Sequence, residues 1–161
     1  MIPCVMCGGK MAKRIKKAHS YVELGLAHVT LHDVPEWVCK KCGDVALEIF
    51  AIERLHRSIA LALVGKRSLL LPCEISFLRK NLGWSGVKFA KNLGVTKETI
   101  SRWENGHEPT SGVADRLLRM YSLLTSPDHN YSADDMAGIE KVATVVRVDF
   151  VNRKGLWRVA S

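Results

Sequence analysis

The stretch SGVKFAKNLGVTKETISRWENG, residues 85–106, decides the fold of the central part of the chain. Its apolar residues recur at the spacing of an α-helix, and Gly94 interrupts the pattern. If Gly86 is the first position, Ala90 is the fifth and Gly94 the ninth. A small residue then lets two helices approach closely, and a glycine makes the turn between them. This spacing predicts a helix-turn-helix, the motif that places its second helix in the major groove of DNA.

Further helices are predicted on both sides of this motif. Ser85 and Thr96 are expected to cap its two helices. Pro72 is expected to open a helix before the motif, and a fourth helix is expected before Pro127. The predicted interior consists of Phe89, Leu93, Val95, Ile100 and Trp103. These residues would also suit an ordinary helical bundle, but the combination of the small residue, the glycine and the caps favours the helix-turn-helix.

Four of the five cysteines form two C-x-x-C pairs, Cys4 with Cys7 and Cys39 with Cys42, which are separated by 31 residues. The alternatives are disulfides, a redox pair and a metal site. Disulfides are rare in the reducing cytoplasm, and a redox pair normally stands alone ahead of a helix in a βαβ unit. Two such pairs complete the closed tetrahedral shell of a structural zinc site. We therefore expect one structural Zn²⁺ per chain, with no open position for catalysis.

Other possible ligands are expected to play ordinary structural roles. Three histidines between the cysteine pairs could replace a ligand, but four cysteines already complete the shell: His19, His28 and His32. The fifth cysteine, Cys73, stands alone and is expected to be a small buried apolar residue.

The sequence pattern divides the chain into four segments. Residues 10–24 and 26–34 alternate in polarity as strands do, whereas residues 45–64 have helical spacing. We predict an α+β fold, with a small zinc-bound β domain joined to an all-α helix-turn-helix domain and a C-terminal extension of a short helix and a β-hairpin. The predicted segments are 1–64 (zinc-binding domain), 65–71 (linker containing the hinge GKRS), 72–126 (helix-turn-helix domain) and 127–161 (extension).

The formal net charge of +8 favours an anionic partner, of which nucleic acid is the most common. The longest apolar run, around residues 59–64, is too short to span a bilayer, so no membrane association is expected. Cys4 comes before any apolar run that a signal peptide would need. We therefore expect a cytoplasmic protein.

Residues 78–106, LRKNLGWSGVKFAKNLGVTKETISRWENG, resemble the Cro/cI (XRE) family of phage-repressor-type DNA-binding domains, and this resemblance covers about residues 73–125. The segments CVMCGG and VPEWVCKKCGD, with the helix that follows them, resemble the YgiT-type zinc finger. The two modules together resemble the MqsA-type antitoxins over about residues 1–124. This resemblance implies a DNA-binding repressor whose zinc domain binds a ribonuclease toxin.

The resemblance also implies which residues contact DNA. Three residues match the base-facing positions of the family's recognition helix: Lys97, Glu98 and Arg102. Arg102 can bind O6 and N7 of guanine, and Glu98 can accept a hydrogen bond from N4 of cytosine. Contacts to the DNA backbone are expected from Ser85, Thr96, Thr99 and Lys88. Arg79 and Glu104 match a family ion pair that ties the first helix of the domain to the end of the third.

The chain departs from the family patterns at several places. Gly86 stands where the family commonly has glutamine, which removes a side-chain contact at the start of the second helix. Glu98 places a carboxylate against an acidic polymer, so it needs a defined partner. The predicted C-terminal hairpin carries Arg147, Arg153, Lys154, Trp157 and Arg158. It can bind DNA or mediate assembly, but an added strand pair that completes a core or a dimer is favoured.

These features predict an antitoxin-like transcriptional repressor that autoregulates its operon. One recognition helix reads one half-site, so we expect a homodimer on a palindromic operator in double-stranded DNA. The zinc domain would bind a cognate ribonuclease toxin. The alternative is a stand-alone zinc-containing XRE-family regulator without a toxin partner. An enzyme is not predicted, because no set of His, Asp, Ser or free Cys residues is arranged for catalysis.

Overall fold

A computed structural model of the chain describes residues 2–126, 132–153 and 156–160.

The first element of the fold is a long antiparallel hairpin. Strand β1 (Met11–Tyr21) pairs with strand β2 (Leu26–Cys39), and a short 3₁₀ turn, Val22–Leu24, connects them. Gly25 completes the connection with a φ of 75°, a conformation that costs least for glycine. Both strands were predicted, and β2 extends five residues beyond the predicted end at position 34.

The helix predicted from Val45 begins seven residues later, because the chain first returns to the sheet. Strand β3 (Val45–Leu47) pairs antiparallel with residues 36–38 of β2, and helix α1 (Ile52–Val64) follows. The second cysteine turn brings β3 alongside β2, where its backbone groups find hydrogen-bond partners. The helical spacing of Leu47 and Phe50 was therefore coincidental, and the predicted start of the helix was wrong.

Helix α1 lies between the sheet and the helices that follow it. It packs against the last strand, Leu156–Val159, on one side and against the helices Pro72–Asn81 and Gly112–Leu124 on the other. Its inward residues recur every three or four positions, as an amphipathic helix requires. These buried residues are Leu55, Ile59, Ala60, Leu63 and Val64.

Four further helices form the unit that the central stretch predicts. They are α2 (Pro72–Asn81), α3 (Gly86–Leu93), α4 (Lys97–Glu104) and α5 (Gly112–Leu124). The hydroxyls of Ser85 and Thr96 cap α3 and α4 by accepting hydrogen bonds from backbone N–H groups three residues on. Ser111 caps α5 in the same way. In the described part of the chain, no helix has the length and hydropathy needed to cross a membrane.

The C-terminal strands join the same sheet as the N-terminal hairpin. A short helix, α6 (Ala133–Ala137), precedes β4 (Val148–Arg153) and β5 (Leu156–Val159). Strand β4 runs parallel to residues 29–32 of β2, so the sheet order is β1-β2-β4-β5, with β3 beside the other end of β2. The predicted α+β class is confirmed. Lys154, in the turn of the predicted hairpin, lies outside the described residues.

The segment predicted as a linker is partly buried, at Lys66, Ser68 and Leu70, and one arginine binds its backbone. The side chain of Arg119, on α5, is fully buried. Its guanidinium donates hydrogen bonds to the carbonyl oxygens of Val64, Lys66 and Ser68 at 2.5–2.7 Å. It also donates to the buried carboxylate of Asp115 at 2.6 Å. We call this group the Arg119 clamp; it fixes the backbone of residues 64–68 against α5.

A second buried ionic group lies beside the clamp. Lys66 Nζ donates to Glu74 Oε2 at 2.5 Å and to the carbonyl oxygen of Thr144 at 3.1 Å. Nε2 of His28, on β2, lies 3.0 Å from the other carboxylate oxygen of Glu74. Because Glu74 is in the first turn of α2, this group connects the sheet, α2 and the C-terminal segment.

Replacement of the Arg119 charge tests the clamp. Arg119→Met leaves the Asp115 carboxylate buried without its cation and three carbonyls without their donor. We expect the free energy of unfolding, measured by urea denaturation, to fall by about 3–5 kcal/mol. Glu108→Gln, which breaks an exposed ion pair with Arg102, is the matched control and should cost less than about 1 kcal/mol. Equal losses of unfolding free energy in the two variants would contradict the stabilising role of the Arg119 clamp.

Glu74 predicts a dependence of stability on pH. Burial alone would raise the pKa of its carboxyl, but the contacts with His28 and Lys66 hold that pKa below its ordinary value. The carboxylate therefore stabilises the fold above its unfolded pKa of about 4.3, and this contribution is lost as the pH falls through the folded pKa. Glu74→Gln should show a shallower loss of unfolding free energy below about pH 5 than the unmodified chain. Parallel pH profiles of the two proteins would be inconsistent with this role.

Candidate functional site

The two cysteine turns have the same backbone hydrogen bond. In the first, the N–H of Gly8 donates to the carbonyl oxygen of Cys4 at 2.9 Å. In the second, the N–H of Gly43 donates to the carbonyl oxygen of Cys39 at 3.0 Å. Both glycines have a positive φ, 67° and 77°, which residues with a side chain rarely adopt. Each turn thus presents two cysteine side chains on the same side of the chain.

The four thiols converge on one point. Their Sγ atoms lie within 4.8 Å of one another, and the shortest separations are 3.3 Å (Cys7–Cys42), 3.5 Å (Cys7–Cys39) and 3.6 Å (Cys4–Cys42). A zinc ion bound at about 2.3 Å by four tetrahedral thiolates would separate their sulfurs by about 3.8 Å. The donor set and its size therefore fit a metal ion, which would cross-link the two turns. With four protein ligands the ion would have no position for substrate.

The cysteine thiols differ in how readily each loses its proton, because their surroundings differ. The backbone N–H groups of Cys42 and Lys41 point at the Cys39 thiol and lower its pKa to about 6. The Lys41 N–H lies 3.4 Å from Cys39 Sγ. Burial raises the pKa of Cys4. A metal binds the thiolate form of cysteine. Of the four ligands, Cys39 has the thiol that loses its proton most readily.

Gly9 is part of this site, although the sequence indicated only a turn. Its φ is not positive, so the reason for glycine is space. A Cβ at this position would lie 2.9 Å from Lys41 Cβ, 3.1 Å from Cys39 Sγ and 3.2 Å from Cys7 Sγ. The 2.9 Å contact with Lys41 Cβ is shorter than Cβ atoms tolerate, and the two contacts with sulfur are tighter than most. Only the folded structure, in which the two turns meet, reveals this constraint.

The histidines considered as alternative ligands lie elsewhere. Among the described residues, the group able to hold a metal contains cysteines only. His19 contacts Glu23, and His32 contacts Asp149. His28 faces Glu74 near the start of β2.

The helix-turn-helix is built from α3 and α4. Gly94 makes the turn between them with a φ of 67°. Phe89, Ala90, Ile100 and Trp103 are buried between these helices and the rest of the unit. Leu93 and Val95 are partly buried against the same core.

An ion pair holds α4 against α2. Arg79 donates two hydrogen bonds to the carboxylate of Glu104, at 2.6 and 3.0 Å, and a third to the carbonyl oxygen of Trp84 at 2.7 Å. The structure thus brings together the two residues that the family pattern pairs. Because the contact is bidentate and largely buried, it fixes the orientation of α4.

The predicted base-facing residues are on the outside of α4. Lys97, Glu98 and Arg102 are all exposed. Nη1 of Arg102 donates to Oε1 of Glu108 at 3.0 Å, a contact that sequence reasoning missed. Arg102 must therefore exchange Glu108 for a base edge if it binds guanine.

The predicted backbone-contacting residues surround the N-termini of α3 and α4. The hydroxyls of Ser85 and Thr96 accept from the N–H groups of Lys88 and Thr99, at 3.2 Å each. The hydroxyl of Thr99 lies 3.0 Å from that of Thr96. Nζ of Lys88 lies 5.9 Å from the centre of the Trp84 ring, over its face. The hydroxyls of Ser85 and Thr96 thus already serve as helix caps in the free protein.

Comparison with known proteins agrees with the fold of this unit. Residues 75–123 match the model of a helix-turn-helix family, HTH_3, to which XRE-type domains belong. No curated protein and no solved structure matches the chain. The chain therefore contains an XRE-type helix-turn-helix domain, of the kind found in DNA-binding regulators, and four cysteines positioned to bind a metal ion.

Gly9→Ala should weaken metal binding without unfolding the rest of the chain. The added methyl group would press on Cys7, Cys39 and Lys41 and move the sulfurs apart. We expect at least about a tenfold loss of zinc affinity, measured by competition with a chromophoric chelator. Gly86→Ala is the control, because no atom lies within 4 Å of a Cβ at that position. Unchanged zinc affinity in Gly9→Ala would mean that the four sulfurs are not the metal site.

Proposed function

We propose that this chain is a zinc-containing transcriptional repressor of the MqsA type, which binds a palindromic operator as a homodimer and a ribonuclease toxin through its zinc domain. The observation that carries the DNA-binding part is the exposed outer side of α4, held in place by the Arg79–Glu104 pair. The family match over residues 75–123 and the net charge of +8 support the same partner.

In the proposed complex the start of α4 lies in the major groove. Arg102 releases Glu108 and donates two hydrogen bonds to guanine, and Lys97 contacts a base or a phosphate. Glu98 accepts from cytosine N4, which is the base-edge donor that suits a carboxylate. The exposed N-terminal turns of α3 and α4 supply backbone N–H groups near the phosphates, together with Ser85, Thr96, Thr99 and Lys88.

The zinc domain is proposed as the surface for a protein partner. A Zn²⁺ ion held by the four cysteines would supply a structural cross-link and no chemistry. The first cysteine turn exposes two apolar side chains, Val5 at 94% and Met6 at 75%. Exposed apolar side chains grouped at one point are typical of a protein contact. The exposed Val5 and Met6 side chains therefore support a protein contact at this turn, for which the proposed partner is the toxin. The proposed location is the cytoplasm, where the thiols stay reduced.

The packing of the C-terminal hairpin against β2 favours the alternative function, a stand-alone regulator. Strand β4 occupies the edge of β2, and the indole N–H of Trp157 donates to the carbonyl oxygen of Phe50 at 2.7 Å. The hairpin thus belongs to the same sheet as β1 and β2, an arrangement that departs from the antitoxin pattern. Co-purification with the product of the adjacent gene separates the two functions. A protein that is stable alone and has no toxic neighbour would exclude the antitoxin role.

Arg102→Ala tests the assignment of base reading. The operator is first selected from random-sequence duplexes, and affinities are then measured by fluorescence anisotropy at one fixed salt concentration. We expect the free energy of binding to the selected operator to weaken by about 1–3 kcal/mol. The variant should also no longer distinguish the bases at one position of the operator.

Arg158→Ala, at an exposed position of β5, removes the same charge outside the helix-turn-helix and should leave the base preference intact. If Arg102→Ala instead weakens binding to all sequences equally, Arg102 contacts a phosphate.

A further inference from the structure

A mostly apolar cavity of about 270 Å³ is formed jointly by the helix-turn-helix unit and the C-terminal extension. The buried side chain of Trp103, on the inner side of α4, lines it together with Leu70 and Pro72 at the start of α2. The extension contributes Val142 and Ala143. We call this space the Trp103 cavity. It is separate from the exposed outer side of α4, which is proposed to face DNA.

The wall that the extension contributes is held in place by backbone pairing. The N–H of Leu69 donates to the carbonyl oxygen of Val142 at 3.2 Å, and Leu69 pairs with Ala143 as an isolated parallel bridge. The Arg119 clamp fixes residues 64–68, which lead directly into this pairing. The cavity is therefore preformed, as the binding sites of small molecules usually are.

Two exposed residues of opposite charge line the Trp103 cavity. The carboxylate of Glu108 is already bound by Arg102 at 3.0 Å. Lys141 is the other charged residue, and no described residue forms an ion pair or a hydrogen bond with its ammonium. A cationic ligand would have to compete with Arg102 for Glu108, whereas an anionic ligand can bind Lys141 directly. The charges therefore favour a ligand with an apolar body and one negative charge.

We propose that the Trp103 cavity binds a small monocarboxylate, with its apolar body against Trp103 and its carboxylate on Lys141. The cavity volume is just below the about 300 Å³ at which pockets for drug-sized molecules begin, so the ligand is a smaller molecule, such as a medium-chain fatty acid. Burial of the apolar body supplies the affinity, and the exposed ammonium selects the head group.

A carboxylate on Lys141 also acts on the contact between Arg102 and Glu108. Glu108 lines the same cavity, so a second negative charge beside it strengthens the attraction that holds Arg102 away from DNA. The bound ligand therefore lowers operator affinity. This consequence rests on the proposed function, because it requires Arg102 to contact DNA, whereas binding of the ligand does not.

Isothermal titration calorimetry of the full, zinc-loaded chain with sodium octanoate, without DNA, tests the site. Val142→Asp places a carboxylate on the apolar wall and should lower octanoate affinity about tenfold or more. Val145→Asp is the matched control, because both valines are 65% exposed and Val145 does not line the cavity. Lys141→Gln should weaken octanoate binding about threefold, as expected for an exposed ion pair, and should not change the binding of neutral octanol.

Nuclear magnetic resonance of the ¹⁵N-labelled chain locates the ligand independently of these variants. The indole N–H resonance of Trp103 should shift when octanoate is added, whereas that of Trp37, which packs beside the cysteine turns, should not. The proposal would be overturned if the Trp103 resonance did not shift or if Val142→Asp and Val145→Asp bound octanoate equally well. Tighter binding of octylammonium than of octanoate would also overturn it.

Operator affinity is measured separately, by fluorescence anisotropy with and without octanoate at one salt concentration. Octanoate should weaken operator binding about fivefold or more in the unmodified chain and leave it unchanged in Val142→Asp. If octanoate binds at Trp103 but the chain selects no operator, only the proposed function fails. If an operator is selected and octanoate binds without changing its affinity, the coupling between the cavity and Arg102 is wrong.

Discussion

The buried guanidinium of Arg119 joins the helix-turn-helix unit to the rest of the molecule. Each of its three nitrogens donates to an acceptor that is itself buried: one carboxylate, on Asp115, and three backbone carbonyls of residues 64–68. A buried charge is tolerated only when it is paired and its hydrogen bonds are made. Residues 64–68 therefore cannot move away from α5 without leaving both a cation and several carbonyls unsatisfied.

The position of the other elements follows from this clamp. Asp115 also accepts from the backbone N–H of Leu70 at 2.7 Å, so the chain enters α2 at a defined place. Lys66, whose carbonyl oxygen binds Arg119, extends its ammonium to Glu74 on α2 and to the carbonyl oxygen of Thr144. Residues 65–68, which the sequence predicted to be a polar hinge, thus connect α1, α2, α5 and the segment that precedes β4. Because these contacts are buried, they hold the sheet and the recognition helix in one arrangement.

Local sequence signals predicted the parts of the fold that depend on neighbouring residues. The caps at Ser85 and Thr96, the turn at Gly94 and the paired cysteines each depend on a short motif, and the structure has all of them. The parallel pairing of β4 with β2 joins residues far apart in the chain, and no local pattern encodes it. The same is true of the clamp, since Arg119 reads as an ordinary charged residue on a helix. The close packing at Gly9 likewise depends on two turns that only the fold brings together.

The metal site lies at the far end of the hairpin from the DNA-binding unit. Cys39 ends β2, whereas His28, near the start of β2, meets Glu74 on α2. These two positions are 11 residues apart in the sequence, so at about 3.3 Å per residue roughly 35 Å of strand separates them. A metal at the cysteines is connected to α4 through β2, and through β3 and α1, which packs against α2 and α5. An ion at the cysteines would therefore shape the exposed turn at Val5 and Met6, while the contacts of α2 and α5 set the orientation of α4.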